Sequence, residues 1–438
     1  MGLIKLTKPH QNQTPPTQHW NHSLATVLIA GLIGLLPITM MTELRGGSVN
    51  FWALVLASLI CSSLRPGGIQ ASIQSLSSYR LLILAFLVLP ITVVMAMLWS
   101  NEILGGDMER AVRVFVGTTA ILGACLSLKP AGLKHSIWGF MAGVIGGTGT
   151  LMWASWPHFT RPEMDQYTTV GYSNLLLLLS VIVLFSLGWQ LTRFKRTEQV
   201  FKLLTVIAGL VGLVIAQTRS SWMAVPFFIV VGLILIRSSI SGKRLFLLGI
   251  IATTLSVSVF FANPTLLARS QQGAKEFIEC RSTTPIANTS VCIRLQLWRA
   301  SWQMFKANPL LANAGSAQFE EKLEQLYQQG FVSEYVKSDF GEPHNDLFHA
   351  LANYGIMGLL AFLLMYLVPT AIFAQRLSIR FTHETRVAAA MGLAVCVGFM
   401  AFGFTEAMFR SMRMLSFYAV LVAWLLALSH VDRRITKP

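Results

Sequence analysis

Long apolar runs alternate with short polar connections along most of this chain, and one polar stretch is far longer than the others. A membrane-spanning helix needs roughly 20 predominantly apolar residues, and runs of that kind recur from residue 23 to residue 430. The pattern predicts an all-α polytopic membrane protein with about 12 transmembrane helices. The predicted spans are residues 23–41, 50–64, 80–99, 111–128, 136–154, 169–189, 201–216, 221–237, 244–262, 347–375, 385–408 and 413–430.

The long polar stretch divides the chain into three predicted parts. Residues 1–262 form an N-terminal transmembrane region with about nine spans, and residues 347–438 form a C-terminal transmembrane region with about three. Residues 263–346 between them form one large loop that contains short helices. We expect this loop to carry the chemistry, because it concentrates the polar side chains of a chain that is otherwise apolar.

Two helices are predicted inside the large loop. Thr289 or Ser290 is expected to cap a helix that stops before Asn308, and Ser316 a second helix that ends near Gly330. Both segments are amphipathic. Such helices lie on a membrane surface or roof a cavity.

Charge supports the membrane interpretation and predicts an orientation. Charged residues make up 12% of the chain, against about a quarter in soluble domains. The net charge of +15 is explained by basic residues that hold cytoplasmic loops inside, and we do not expect nucleic-acid binding. Basic residues of the short connections crowd one side, as at Arg193, Lys195 and Arg196. The prediction is a bacterial inner-membrane protein with both termini cytoplasmic and a periplasmic loop.

The N-terminus and two cysteines add further expectations. The polar N-terminus lacks the pattern of a cleavable signal peptide, so we expect the first span to remain as an anchor. Cys280 and Cys292 both lie in the large loop, and in an oxidising periplasm they should form a disulfide. Closing a loop of about a dozen residues contributes roughly 3 kcal/mol. Two free thiols or a metal-binding pair are the alternatives.

A histidine stands where the large loop meets the next span, in the run GEPHNDL at residues 341–347. Asn345 or Asp346 is expected to cap the helix that follows His344. Imidazole changes charge near neutral pH, and at a water–membrane boundary it can take a proton from a hydroxyl group as general base. The alternative is a surface histidine that ends the loop. The neighbouring carboxylates match the spacing of no metal-binding loop, so we expect no metal.

Arginines at the predicted outer boundary suggest an anionic ligand. Arg219 lies in a short turn between two spans, where an arginine costs free energy unless it is paired or faces water. Its planar fork suits a pair of phosphate oxygens, and Ser220 adds a donor. Any single arginine could instead snorkel to the interface or pair with an acid. The further candidates are Arg294, Arg269, Arg410 and Arg413.

Several of these elements occur together in a known order. They are the stretch Arg294 to Trp302, then Asn308-Pro309, then His344-Asn345-Asp346 followed by Gly355 and Gly358, and the Arg–Ser turn at Arg219. Together they resemble the bacterial O-antigen ligase and polymerase superfamily. One feature differs: the family usually has a Gly-x-Gly-like run after Asn-Pro, and this chain has Leu-Leu-Ala-Asn-Ala-Gly.

The resemblance implies a GT-C-like architecture and a glycosyltransferase. Such ligases transfer O-antigen polysaccharide from undecaprenyl diphosphate to the lipid A-core oligosaccharide, at the periplasmic face of the membrane. The family's histidine corresponds to His344 and its arginines to Arg219 and Arg294. The expected substrate-binding residues are Arg269, Ser220, Asn345, Arg410 and Arg413. The expected partners are the lipid-linked donor, the lipid A-core acceptor and the bilayer, with no cofactor.

Three other functions fit the same residues. An O-antigen polymerase or a ligase that acts on pilin would use similar chemistry with another acceptor. A transporter of lipid-linked glycans is the alternative from a different class, with the glycine-rich run at residues 143–149 as a candidate broken helix. An assay that supplies different acceptors distinguishes these functions.

Overall fold

A computed structural model describes residues 17–42, 46–158, 161–162, 168–238, 240–262, 264–282 and 288–430. Every regular element in these ranges is helical. The α-helices are α1 (Thr17–Thr42), α2 (Gly46–Leu64), α3 (Gly68–Leu76), α4 (Arg80–Ser100), α5 (Gly105–Val112), α6 (Thr118–Cys125), α7 (Pro130–Leu133), α8 (Ile137–Ser155), α9 (Thr169–Phe185), α10 (Lys195–Ala216), α11 (Val225–Ile236), α12 (Gly242–Ala262), α13 (Pro264–Ser282), α14 (Ser290–Ala307), α15 (Phe319–Gln328), α16 (Glu334–Asp339), α17 (Asp346–Arg376), α18 (His383–Gly403) and α19 (Met412–Leu428).

Helices suited to a membrane dominate the described residues. Eight segments are long and apolar enough to cross a bilayer. They are Ser23–Thr42, Gly46–Leu64, Gly68–Ser100, Pro130–Ser155, Thr169–Gly188, Lys195–Ala216, Asp346–Arg376 and His383–Gly403. Two shorter apolar helices, Ser220–Ile236 and Met412–Leu428, overlap two more predicted spans. The all-α multi-pass class is confirmed, and the count of twelve spans and the orientation in the membrane stay predictions.

The predicted division of the chain falls near helix boundaries. α12 ends at Ala262, α13 begins at Pro264, and α17 begins at Asp346. Several spans start where a hydroxyl or amide side chain accepts from the first turn. Thr168 accepts from the Gly171 amide at the start of α9, and Thr382 from the Thr385 amide at the start of α18. These caps satisfy amides that have no partner inside the helix. Whether the three parts are separate units stays a prediction.

The interior of the bundle is formed by α9, α18 and α19, whose residues are almost all buried. α1 packs closely on α8, where a Cβ at Gly139 would strike the Gly34 carbonyl, so a small residue is required there. α8 is one continuous helix from Ile137 to Ser155. The idea that residues 143–149 break this helix, as in a transporter, is therefore wrong.

The segment between α12 and α17 contains four α-helices, of which the sequence predicted two. α14 begins at Ser290, directly after Thr289, and ends at Ala307, so the predicted bounds of the first helix are confirmed, although the Thr289 side chain makes no capping hydrogen bond. The prediction that Ser316 caps the second helix is wrong. The Ser316 hydroxyl instead donates to the Asp107 carboxylate at 2.7 Å, which ties this segment to α5. α13 and α16 were not predicted.

The expected disulfide is present and joins two helices of this segment. Cys280 lies near the end of α13 and Cys292 in the first turn of α14, and their Cα atoms are 5.5 Å apart. The bond fixes the end of α13 against the start of α14. The prediction for this cysteine pair is confirmed.

A tight loop after α14 packs into a kink of α17. Gly355 has φ +58° inside α17, and a Cβ there would meet the Pro309 carbonyl. Ala312 and Ala314 also have positive φ, 48° and 53°, a conformation that favours glycine. The Gly315 amide closes the contact by donating to the Asn353 carbonyl at 2.9 Å. Two alanines of the Leu-Leu-Ala-Asn-Ala-Gly run thus adopt a backbone that glycine adopts more easily.

Candidate active site

His344 is held in the turn before α17 by contacts from two sides. Its backbone is left-handed, with φ +48°. The Trp298 indole of α14 donates to the Pro343 carbonyl at 3.0 Å, which fixes the preceding residue. The Phe340 ring lies edge-on to the imidazole, with ring centres 5.6 Å apart. The side chain is 18% exposed, so the imidazole is oriented by protein and still reachable from solvent.

Two carboxylates face the same imidazole nitrogen. His344 Nδ1 lies 3.4 Å from Glu342 Oε1 and 3.5 Å from Glu406 Oε2. Neither contact has the geometry of a hydrogen bond. Each carboxylate has an arginine as well: Arg410 Nη1 is 3.1 Å from Glu342, and Arg294 Nη2 is 4.0 Å from Glu406. The histidine is therefore at the centre of a network with alternating charges.

The two residues after His344 hold the turn that carries Glu406. Asn345 Oδ1 caps α17 by accepting from the backbone amides of Leu347 and Phe348, while Asn345 Nδ2 donates to the Phe404 carbonyl at 3.1 Å. One Asp346 oxygen accepts from the Phe409 amide at 3.0 Å. Both side chains are buried. The turn between α18 and α19 is thus fixed at both ends to the start of α17.

Arg294 reaches the site from α14, one helical turn before Trp298. Its Nη1 donates to Ser290 Oγ at 3.3 Å, and its Nε is buried with no hydrogen-bond partner in the described part of the chain. Burial lowers the pKa of the guanidinium, and the nearby charge of Arg219 lowers it further while Glu406 opposes both. A partly buried cation with an unused, buried donor is suited to an anion.

Arg219 lies in the turn between α10 and α11. Neighbouring hydroxyls anchor this turn to α9, because Ser173 Oγ lies 2.5 Å from Thr218 Oγ1 and 2.6 Å from Ser221 Oγ. α13 covers the guanidinium: a Cβ added at Gly273 would meet Arg219 Nη1 at 2.5 Å. The absence of a side chain at position 273 therefore leaves room for the arginine.

Arg219 and Arg294 line one basic cavity of about 630 Å³. Arg161 joins them, and Glu276 is the carboxylate among the described lining residues. Glu276 is buried and accepts from the Val291 amide at the start of α14, at 3.3 Å. Positive charge exceeds negative charge in the lining, which suits a ligand with more than one negative charge. Sequence analysis missed Arg161, Gly273 and Glu276.

A second, smaller cavity lies beyond the carboxylates. It has a volume of about 410 Å³, and its lining includes Glu342, Glu406, Arg410 and Arg110. The four charges alternate in sign. Such a lining offers donors and acceptors to a polyhydroxylated ligand.

An apolar groove between α11 and α12 adjoins the basic cavity. It has a volume of about 830 Å³ and is lined almost entirely by aliphatic and aromatic side chains. Trp222 lines both the groove and the basic cavity, so the two share a wall three residues after Arg219. An apolar chain that ends in an anionic group would fit across this boundary.

The structure places the remaining candidates as follows. Ser220 is buried and lines the basic cavity. The side chain of Arg269 lies outside the described residues, although its neighbour Ser270 on α13 lines that cavity. Arg413, in the first turn of α19, is not among the described residues that line either polar cavity.

Glu342, His344 and Glu406 also have the spacing of possible metal ligands. One ligand atom from each lies within 4.8 Å of the others. Both carboxylates, however, already face arginines, and a divalent cation would have to compete with those guanidinium groups. We interpret the three residues as part of an ion-pair network, and the expectation of metal independence stays a prediction.

The helices described above assign the protein to a structural class. The chain is a multi-pass, all-helical membrane protein. Residues 204–363, a little over a third of the chain, match the family described as O-antigen ligase. This match supports a place for the chain in the O-antigen ligase superfamily. The matched range contains Arg219, Arg294 and His344, and it ends before Glu406 and Arg410.

A relative from Haemophilus influenzae (strain ATCC 51907 / DSM 11121 / KW20 / Rd) is described as an uncharacterized protein. It is 23% identical over 205 residues, which is 46% of this chain and 49% of the relative. The match thus spans about half the length of each protein.

Proposed function

We propose that this protein transfers O-antigen polysaccharide from undecaprenyl diphosphate to the lipid A-core oligosaccharide at the periplasmic face of the bacterial inner membrane. The superfamily supplies the reaction type, a glycosyl transfer from a lipid-linked glycan. The observation that carries the proposal for this chain is the basic cavity that shares Trp222 with an apolar groove. A polyprenyl diphosphate has the matching chemistry, an apolar chain ending in several negative charges.

Donor binding follows from these surfaces. The polyprenyl chain lies along the groove between α11 and α12, and the diphosphate enters the cavity beside Arg219 and Arg294. The unused Nε of Arg294 gains an acceptor there, which removes the cost of a buried unpaired donor. Charge-assisted bonds from guanidinium to phosphate oxygens are strong because they are often bidentate.

The reaction is a single displacement at the anomeric carbon. His344 takes the proton from the acceptor hydroxyl as the hydroxyl oxygen forms its bond to that carbon. The bond between the anomeric carbon and the phosphate oxygen breaks, and its electrons leave with undecaprenyl diphosphate. Arg219 and Arg294 stabilise the charge that develops on the leaving group. The configuration inverts, and no covalent enzyme intermediate or metal is required.

The deciding experiment is an acceptor assay with purified protein, an undecaprenyl-linked glycan and lipid A-core. We expect transfer to lipid A-core, and a fall of about 10²–10⁴ in rate for His344→Ala with an unchanged unfolding temperature. His158→Ala, at an exposed histidine after α8, is the matched control and should behave like wild type. Wild-type activity of His344→Ala would remove the histidine from the mechanism.

Three further arms use the same preparation. Elongation of the lipid-linked glycan without lipid A-core would indicate a polymerase, and labelling of pilin would indicate a protein acceptor. Movement of the lipid-linked glycan across reconstituted vesicles without transfer would indicate a transporter. Each of these results would overturn the ligase assignment.

A further inference from the structure

We infer that Glu406 is a positioning residue that orients His344 for proton transfer and couples it to the donor-binding Arg294. This inference rests on the proposed function. Glu406 lies in the turn between α18 and α19, outside the range that matches the family, and it is 8% exposed.

The two oxygens of Glu406 face different functional groups. Oε2 is 3.5 Å from His344 Nδ1, and Oε1 is 4.0 Å from Arg294 Nη2. Glu342 faces the same imidazole nitrogen at 3.4 Å, but its other oxygen pairs with Arg410, whose side chain is 42% exposed. Glu406 is therefore the carboxylate that touches both the proposed base and a proposed donor-binding arginine.

The backbone around Glu406 is fixed, so its carboxylate stays beside the imidazole. The Glu406 amide donates to the Phe402 carbonyl at 3.0 Å, and the Glu406 carbonyl accepts from the Met408 amide at 3.0 Å. Asn345 and Asp346 hold the same turn at Phe404 and Phe409. Asn345 and Asp346 directly follow His344, so these two residues fix the position of the Glu406 turn relative to the proposed base.

A carboxylate beside Nδ1 has two effects on the imidazole. It favours the tautomer with hydrogen on Nδ1, which leaves the lone pair on Nε2 free to accept a proton. It also stabilises the imidazolium that forms when the acceptor hydroxyl gives its proton to Nε2. The proton moves from oxygen to Nε2, and the new carbon–oxygen bond forms as the diphosphate leaves. Glu406 itself exchanges no proton.

The charges that face His344 come from three parts of the fold. Glu342 lies two residues before it and Glu406 on the turn before α19, while Arg410 and Arg294 stand behind these carboxylates. Removing the charge of Glu406 leaves the imidazolium less stabilised and Arg294 without its carboxylate. The rate of the proton-transfer step should then fall, while the binding of the donor is kept.

The test compares Glu406→Gln with wild type in the acceptor assay, with full-length protein in detergent. We expect kcat to fall about 10- to 100-fold, less than the loss of the base itself, and the KM for donor to be unchanged or lower. Glu406→Asp keeps the charge beside the imidazole and should restore most of the lost kcat. Glu321→Gln, at an exposed glutamate of α15, is the matched control.

Several outcomes would overturn the inference while leaving the proposed function intact. One is a Glu406→Gln variant with wild-type kcat although His344→Ala is inactive. Another is a loss of rate that accompanies a lower unfolding temperature and that Glu406→Asp does not rescue, since a merely structural role gives that pattern. A third is loss of wild-type transfer in EDTA with recovery in Mg²⁺ or Mn²⁺, because the carboxylates would then be ligands.

Discussion

Replacing Arg294 by glutamine and, separately, by lysine tests how the diphosphate is stabilised. The arginine is partly buried, with a side chain that is 24% exposed. It keeps one donor without a partner in the described part of the chain. Glutamine removes both the charge and the fork. Lysine keeps the charge opposite Glu406 and removes the fork alone, so the pair of variants separates the two contributions.

The magnitude follows from the arrangement of the cavity. Removing one preorganised donor from a developing oxyanion costs about 10²–10³ in kcat, or about 2.7–4 kcal/mol. Arg219 and Arg161 remain in the same cavity, so the lower end of that range, about 10²-fold, is expected for Arg294→Gln. Arg294→Lys loses about one charge-assisted bond, which corresponds to a fall of about ten-fold, or 1.4 kcal/mol.

The assay measures initial rates of glycan transfer to lipid A-core at a series of donor concentrations. Arg193→Gln is the matched control, because Arg193 is an exposed arginine in the connection before α10, at the other end of that helix from Arg219. Wild-type kcat/KM for both Arg294 variants would refute the role of the fork. A lysine variant as impaired as the glutamine variant would show that charge alone contributes little.

Two further predictions concern stability. Cys280→Ser or Cys292→Ser opens a link across 12 residues and should cost about 3 kcal/mol, seen as faster limited proteolysis between α13 and α14; equal resistance with and without reductant would contradict this. Burial alone would raise the pKa of Asp107, but Arg110 and the hydrogen bonds from Ser316 outweigh it and hold that pKa below its usual value of 3.8. Asp107 therefore stabilises the fold above pH 3.8, and this contribution is lost as the pH falls further through the lowered value. The unfolding temperature of wild type should drop more steeply below pH 3.8 than that of Asp107→Asn, and parallel curves would contradict the role of Asp107.

The long helices of the bundle could be predicted because they are apolar runs, and some of them, such as α9 and α18, also start at a capping side chain. The residues after His344 also follow from local rules, since an asparagine before an apolar run caps a helix. Ser316 shows where such rules fail. Its hydroxyl bonds to Asp107, more than two hundred residues earlier in the chain, and no local pattern announces that partner.

The partners of the candidate residues were the least predictable feature of the site. Glu406 contacts His344 and Arg294, which are far from it in sequence. In the sequence, Glu406 is simply an acidic residue next to an apolar span. α13 was missed because its sequence is polar and carries no regular apolar stripe. Its position matters all the same, since Gly273 gives Arg219 its space.

In the loop after Asn308-Pro309, contacts from elsewhere in the fold hold a backbone conformation that the local sequence does not favour. Ala312 and Ala314 adopt the left-handed backbone that glycine would adopt more easily. The contacts of Pro309 and Gly315 with α17 hold them there. Tertiary contacts that are absent from the local sequence therefore decide the geometry.

α14 carries both Arg294, which lines the basic cavity, and Trp298, which bonds to the Pro343 carbonyl next to His344. A movement of α14 that makes room for a bulkier donor would therefore also displace Pro343 and the proposed base, which constrains redesign of this protein for new glycans. Arg110 lies on α5 and Arg410 in the turn before α19, outside α14. Libraries that vary the second cavity at these two positions leave the residues of α14 unchanged.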